Sequence, residues 1–278
     1  MKFTKMQGCG NDYVYIDCTK TQVLGDVADL AVKISDRHFG VGSDGLILIK
    51  PSENADFFMD MYNSDGSRGK MCGNGIRCVG KFVYDKGLTD KTELKIETLS
   101  GIKNLKLSVE NGKVDLVTVD MGSPDLKPEN IPVITDKNVM INEPIIVGDK
   151  EYNVTCISMG NPHAVVFVDD TDNFPIETVG PLFEKHKIFP DRVNTEIVQV
   201  IDRNHIKMRV WERGSGETLA CGTGACASVV ASVINGLTDN EVKVSLLGGD
   251  LHIKYDKDKN MVYMTGPAVT VFEGEISL

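Results

Sequence analysis

Cys72-Gly73-Asn74-Gly75 and Cys221-Gly222-Thr223-Gly224 are two versions of one short sequence, 221 − 72 = 149 residues apart, and each runs into a stretch of helical periodicity. The interval recurs elsewhere in the chain. Gly10-Asn11 leads into the strand-like Tyr13 to Asp17 as Gly160-Asn161 leads into Ala164 to Asp169, with 161 − 11 = 150. Met61-Tyr62-Asn63 matches Val210-Trp211-Glu212, since 212 − 63 = 149, and both enter Gly/Ser-rich loops before the cysteine. Leu46 to Ile49 aligns with Glu196 to Gln199 at an interval of 150. Landmarks held at one spacing read as an internal duplication.

Each half then reads as strand, helix or loop, strand pair, cysteine loop, helix and strand meander. The meanders are Leu94 to Met121 and Val242 to Thr265, with turn chemistry at Glu110-Asn111-Gly112 and Asp256 to Asn260. The expected fold class is α+β. It consists of two pseudo-symmetric mixed domains, each a sheet wrapped around a central helix, with the active site in the cleft between them. The expected boundaries are 1–125 for the half carrying Cys72 and 145–268 for the half carrying Cys221. The Pro-, Asp- and Asn-bearing stretch 126–144 reads as a linker, and 269–278 as a segment returning to the first domain.

Composition bounds the function. With 41% hydrophobic and 25% charged residues among 278, the chain has the make-up of a globular protein with a sizeable core. A formal charge of −10 argues against nucleic acid or an anionic membrane as partner, because phosphate binding needs a basic face, and favours a small-molecule ligand. Residues 1–20 hold no apolar stretch of signal-peptide length, so a cytoplasmic location is expected. Seven cysteines, Cys9, Cys18, Cys72, Cys78, Cys156, Cys221 and Cys226, make an odd count in a reducing compartment, so disulfides are not expected to use them all.

Behind Cys72 the apolar Ile76, Val79 and Val83 fall at helical spacing, with a stop at Lys86-Gly87. Behind Cys221 the residues Ala225, Val229 and Val233 do the same as far as Asn235-Gly236. Each cysteine is therefore expected at a helix start, where unpaired N–H groups and the positive dipole end favour anions. One such anion is the thiolate, whose pKa falls at such a terminus. Another is a substrate carboxylate held by the N–H groups of Gly73, Asn74, Gly222 and Thr223. Inverting an α-carbon needs a proton removed from one face and returned to the other, and the charge developed in between lies on the carboxylate. Cys72 and Cys221 are thus the candidate acid/base pair. A metal site on Cys72, Cys78, Cys221 and Cys226 is disfavoured: C-x5-C and C-x4-C pairs on helices lie about 240° and 140° apart around the axis. Cys78 and Cys226, with Cys9, Cys18 and Cys156, read as core residues. No phosphate-cradling loop and no lysine in a pyridoxal setting is present, so neither cofactor nor metal is expected.

The combination resembles the diaminopimelate epimerase family over essentially the whole chain. It is carried by Gly10-Asn11-Asp12, Met61-Tyr62-Asn63-Ser64-Asp65-Gly66, Met71-Cys72-Gly73-Asn74-Gly75-Ile76-Arg77-Cys78 and Gly160-Asn161-Pro162-His163. To these add Val193-Asn194-Thr195-Glu196 and Trp211-Glu212-Arg213-Gly214 running into Ala220-Cys221-Gly222-Thr223-Gly224. Proline racemases share the two-cysteine plan but read Cys-Gly-His-Gly at the first loop, where this chain has Asn74. The resemblance implies an isomerase acting between LL- and meso-diaminopimelate in lysine and peptidoglycan precursor synthesis. It also implies that Asn11, Asn63, Asn161, Asn194, Glu212 and Arg213 bind substrate, chiefly its far end, and that His163 and Glu212 tune the cysteines. It implies a homodimer, with Phe272 where relatives often carry an interface tyrosine. At Gly45, where some relatives have glutamine, a side-chain contact is absent. Two other readings stand beside it: a proline or hydroxyproline racemase, and a thiol redox or ligand-binding protein that changes no stereochemistry.

Overall fold

A computed structural model describes residues 1–277. The chain divides into two compact units, Met1–Asp120 together with the chain from Thr265 onward, and Met121–Met264. The first unit holds β1 (Lys2–Gly8), β2 (Asn11–Asp17), α1 (Val27–Ser35), β3 (Gly45–Lys50), β4 (Phe57–Asn63), β5 (Arg68–Gly69), α2 (Gly73–Asp85), β6 (Glu93–Thr98), β7 (Gly101–Glu110) and most of β8 (Lys113–Gly122). The second holds β9 (Glu143–Val147), β10 (Lys150–Ser158), β11 (Pro162–Phe167), α3 (Ile176–Glu184), β12 (Asn194–Asp202), β13 (His205–Glu212), β14 (Gly216–Thr218), α4 (Gly222–Ile234), β15 (Glu241–Leu246), β16 (Gly249–Asp256) and the start of β17 (Met261–Pro267). The last strand, β18 (Val269–Glu275), belongs to the first unit and pairs antiparallel with β1.

The two units repeat one topology. In the first, β2 pairs parallel with β3, β3 antiparallel with β4, and β4 antiparallel with β5 and parallel with β6. In the second, β11, β12, β13, β14 and β15 repeat those pairings in the same order and the same senses. Strand β9 beside β10 occupies the place that β18 takes beside β1. The parallel registers, Tyr13↔Gly45 and His163↔Asn194, make Tyr13 the counterpart of His163 and Gly45 the counterpart of Asn194. Ile47, not Leu46, is therefore the counterpart of Glu196. The 150-residue alignment of Leu46 with Glu196 is off by one, and a one-residue shift on a strand exchanges its faces.

The helices form where apolar periodicity and caps agree. Cys72 and Cys221, both extended in backbone, are the N-caps of α2 and α4, and Gly87 and Gly236 follow the C-caps at φ of 69° and 73°. Ile76, Val79 and Val83 of α2 are buried, as are Ala225, Val229 and Val233 of α4. Helix α2 packs on β1, β2 and β7, and α4 on β10 to β13, β15 and β16, so each unit's sheet does wrap a central helix. In the second unit Ile131, Val133 and Met140 join the core around Val154, Cys156 and Ile197. Residues 126–144 therefore line a domain core, a correction to their reading as a linker. Polar composition hid three apolar anchors. The first unit ends near Asp120, short of the expected 125, and resumes at Thr265, ahead of the expected 269; of the segment 269–278, residue 278 lies outside the described residues.

Candidate active site

In the first unit Cys72 is half-buried at the start of α2, and its sulfur accepts from the Gly75 N–H at 3.4 Å. The same sulfur lies 3.2 Å from Asn11 Oδ1, to which its S–H donates. Asn11 stands at the head of β2, and its Nδ2 donates to Asp44 Oδ2 at 2.8 Å. Arg37 then spans Asp44 and Asp12 at 3.0 Å each, and Lys5 pairs with Asp12 at 2.5 Å. Asn63, at the end of β4, donates from Nδ2 to Ser67 Oγ at 2.9 Å. Gly73 and Asn74 are buried in the first turn of α2. Beneath that turn lies the fully buried Arg77, whose Nη1 reaches Gly73 O at 3.3 Å and whose Nε reaches Pro267 O at 3.1 Å. At Gly45 an added Cβ would fall 2.1 Å from Tyr62 O, so this position admits no side chain.

In the second unit Cys221 holds the N-cap position of α4 without a side-chain cap bond, its sulfur 3.5 Å from Thr223 Oγ1. Its thiol is pushed well above the usual range, first by burial, then by the negative charges of Glu212 and Glu196, against the Thr223 hydroxyl. The helix start alone would lower it; the surroundings of this one outweigh the dipole. Glu212, at the end of β13, accepts from Thr218 Oγ1 at 2.6 Å. Asn161 Oδ1 lies 3.0 Å from His163 Nε2, and His163 Nδ1 lies 2.7 Å from Glu196 Oε1. Neither His163 nor Glu196 has exposed surface. Burial raises the Glu196 carboxyl, opposed by His163. Gly224, in the first turn of α4, covers this carboxylate so closely that a Cβ would fall 2.6 Å from Glu196 Oε1. Asn194, also buried, accepts the Arg213 backbone N–H at 3.0 Å. The exposed Arg213 guanidinium reaches Asp191 O at 3.1 Å and has no carboxylate partner among the described residues.

Within each unit, hydrogen bonds join some of the residues expected from sequence, while Asn63 bonds to Ser67 and Arg213 to Asp191 O rather than to a helix start. In the first unit Asn11 touches Cys72; in the second, Thr223 touches Cys221, Asn161 touches His163, and Asn194 holds Arg213. Asp44, Arg77 and Glu196 were missed. Glu196 had a signal: it is an acid in the run Thr195-Glu196-Ile197-Val198, in a central strand whose counterpart is Leu46 to Ile49. Phe272 lies on β18, exposed, with its ring edge-on to Phe3 at 5.9 Å. Cys9, Cys18, Cys78, Cys156 and Cys226 are buried. Among the described residues no group of three or more His, Cys, Asp or Glu is placed to hold a metal ion. Among the described residues no helix is long and apolar enough to cross a membrane.

The solved structure of a Bacillus anthracis phenazine biosynthesis protein of the PhzF family has this fold, with a TM-score of 0.71 at 18% identity over 100% of this chain and 99% of that one. A probable proline racemase from Agrobacterium radiobacter has it too, with a TM-score of 0.71 at 13% identity over 100% of this chain and 93% of the other. In sequence, the chain is 60% identical to the diaminopimelate epimerase of Acetivibrio thermocellus over 100% of its length and 99% of the relative. It is 58% identical to that of Methanococcus maripaludis, with both chains covered in full. The pattern of the diaminopimelate epimerase family matches residues 3–127 and 155–271, one stretch for each repeat. With two cysteine-capped helices in duplicated units and full-length similarity at this level, the chain belongs to the diaminopimelate epimerase family and is an isomerase.

Proposed function

We propose that the chain interconverts LL- and meso-diaminopimelate without a cofactor, with Cys72 and Cys221 acting from opposite faces of one α-carbon. The observation that carries this reading is the duplicated N-cap: two thiols, each at the first turn of a 13-residue helix, in units of one topology. One sulfur, as thiolate, takes the α-proton, and the electron pair left behind moves onto the α-carboxylate. The N–H groups of Gly73, Asn74, Gly222 and Thr223 donate to the carboxylate oxygens, where the charge develops, and stabilise it most in the transition state. The other sulfur, as thiol, returns a proton to the opposite face, so the pair ends with its protonation states exchanged.

Glu212 and His163 tune the thiols in this reading. Burial, reinforced by the Glu212 charge, raises Cys221 and so keeps a proton there to deliver. An ammonium group paired with Glu212 would cancel much of that charge and ease the sulfur's ionisation once substrate is bound. At the far end of the substrate, Arg213 serves the second carboxylate as a charged fork, and Asn63, Asn161 and Asn194 complete the amide contacts. We further propose that the enzyme works in the cytoplasm, as a homodimer with β18 and Phe272 in its interface, in lysine and peptidoglycan precursor synthesis. The exposed Val269, Val271 and Phe272 on that strand favour such an interface.

The test is stereochemical. Incubation with LL-diaminopimelate, followed by chiral chromatography, is expected to yield the meso form until the two interconvert at equilibrium. Turnover of proline in its place would support the racemase alternative, and no stereochemical change in any amino acid would support the redox or binding one.

A further inference from the structure

Asn11 and Asn161 head the two repeats and are both half-buried, yet a different neighbour holds each. Asn11 gives its Nδ2 to Asp44 Oδ2, which also accepts the Asp12 backbone N–H at 3.1 Å. A carboxylate at this point accepts, so only the NH2 end of the amide can face it, and the amide oxygen is left turned to Cys72. Asn161 is the other way round. Its Oδ1 faces His163 Nε2, and the second ring nitrogen faces Glu196 Oε1. A ring with oxygen at both nitrogens needs two protons in the pair of bonds, one on Nε2 and one between Nδ1 and the carboxyl. With the carboxyl ionised, a single-proton ring would satisfy only one of them. Glu196 supplies what makes this possible, either the balancing negative charge or the second proton. Its Oε2 has no partner among the described residues, so the group is not there to satisfy some other donor.

The duplication did not produce these two carboxylates. The strand registers place Ile47 at the counterpart of Glu196 and Val193 at the counterpart of Asp44. Each half carries one acid where the other has an aliphatic side chain. The structure assigns Asp44 and Glu196 as positioning residues that fix the two pseudo-equivalent asparagines in opposite senses, Asn11 offering its amide oxygen and Asn161 its amide NH2.

Resting on the two-cysteine reading, this assignment has a consequence for specificity. The Asn11 oxygen accepts the Cys72 proton and keeps that sulfur a thiol until substrate arrives, or accepts from an ammonium group. The Asn161 NH2 suits a carboxylate. The two amides thus favour opposite groups, Asn11 a donor and Asn161 an acceptor.

Neither arm of the test depends on turnover. In the first, Asp44→Val installs the second unit's residue at that position and removes the acceptor. Asn11 can then turn its NH2 to the sulfur and favour the thiolate. Alkylation of Cys72 by iodoacetamide at pH 7.5, read by peptide mapping, should rise about fivefold or more. Asp44→Asn keeps an oxygen for Asn11 and should leave the rate within about twofold of native. Asp44→Ala removes the acceptor with less bulk and replaces the valine variant should that one fail to fold. Unchanged Cys72 reactivity without the acceptor, or an equal rise in Asp44→Asn, overturns the assignment. The second arm uses the native protein with 15N-labelled histidine rings, the His163 signal being identified by its loss in His163→Gln. A proton on Nε2 is expected. A bare Nε2 would mean that Asn161 turns its NH2 to the ring, and the opposed orientations would be wrong. Failure of either arm leaves the stereochemical assay, and hence the epimerase reading, untouched.

Discussion

Gly224 and Gly75 are counterparts, each in the first turn of a helix capped by a cysteine, and replacing each with alanine should give opposite outcomes. Neither has a positive φ, so helix propensity alone makes both substitutions stabilising by about 0.8–1.0 kcal/mol. At Gly75 the new Cβ would meet Ile47 Cδ1 at 2.9 Å and Met59 Cε at 3.2 Å, both ends of flexible apolar side chains that can rotate aside. At Gly224 it would meet Glu196 Oε1 at 2.6 Å, and that carboxylate is fully buried and held on His163 at 2.7 Å. Overpacking there costs about 1–3 kcal/mol, and pushing the carboxylate off His163 costs about 1.5–3 kcal/mol for a charge-assisted bond. After the propensity gain, the net loss for Gly224→Ala is about 2 kcal/mol or more, a fall in Tm on the order of 4–8 °C. Thermal unfolding followed by circular dichroism reads both variants against the native chain. If Gly224→Ala melts at or above Gly75→Ala, the carboxylate is not pinned beneath the α4 helix start and the reasoning fails.

Arg213→Ala should lower kcat/KM for diaminopimelate about tenfold to 150-fold, the loss of a charge-assisted pair worth about 1.5–3 kcal/mol, with the cysteine chemistry intact; unchanged kinetics would remove Arg213 from the site. Stability should fall in alkali, because burial raises Cys78 to about 11 and Cys156 to about 12 in the folded state. The unfolded chain gives up these protons from about pH 8.5, so the stabilisation is full below that pH and is lost as pH rises towards the folded values, at roughly 1.4 kcal/mol per pH unit for each thiol. Urea midpoints at pH 8, 9 and 10 in the native protein and in Cys156→Ala should show the variant losing less per unit, and equal slopes would contradict the assignment.

Much of this site was legible because its parts are local. Cys-Gly-x-Gly followed by residues at 3.6 spacing states a helix start, and both cysteines are N-caps. Positive-φ residues also announced themselves: Asn111-Gly112, at φ of 51° and 74°, makes the tip of the β7–β8 hairpin. What stayed hidden depends on strand register and burial. Whether Glu196 points to solvent or under α4 turns on a single residue of pairing, and the sequence alignment was off by that one residue. Asp44 is one acid among many until Asn11, 33 residues away, is seen to lie beside it. The stretch 126–144 misled because its polar residues outnumber its anchors, yet Ile131, Val133 and Met140 are buried in the core of the second unit.

The central claim is that two sulfurs, not one, handle the α-proton, and isotope content early in the reaction tests it most directly. In heavy water the returned proton comes from a thiol already exchanged with solvent, whereas the abstracted one leaves on the opposite sulfur. Mass spectrometry at low conversion of LL-diaminopimelate should therefore find deuterium at the inverted carbon of the meso product, and little or none in the remaining substrate. Product that keeps its original hydrogen, or substrate labelled as fast as product forms, would mean a single base serving both faces and would contradict the account.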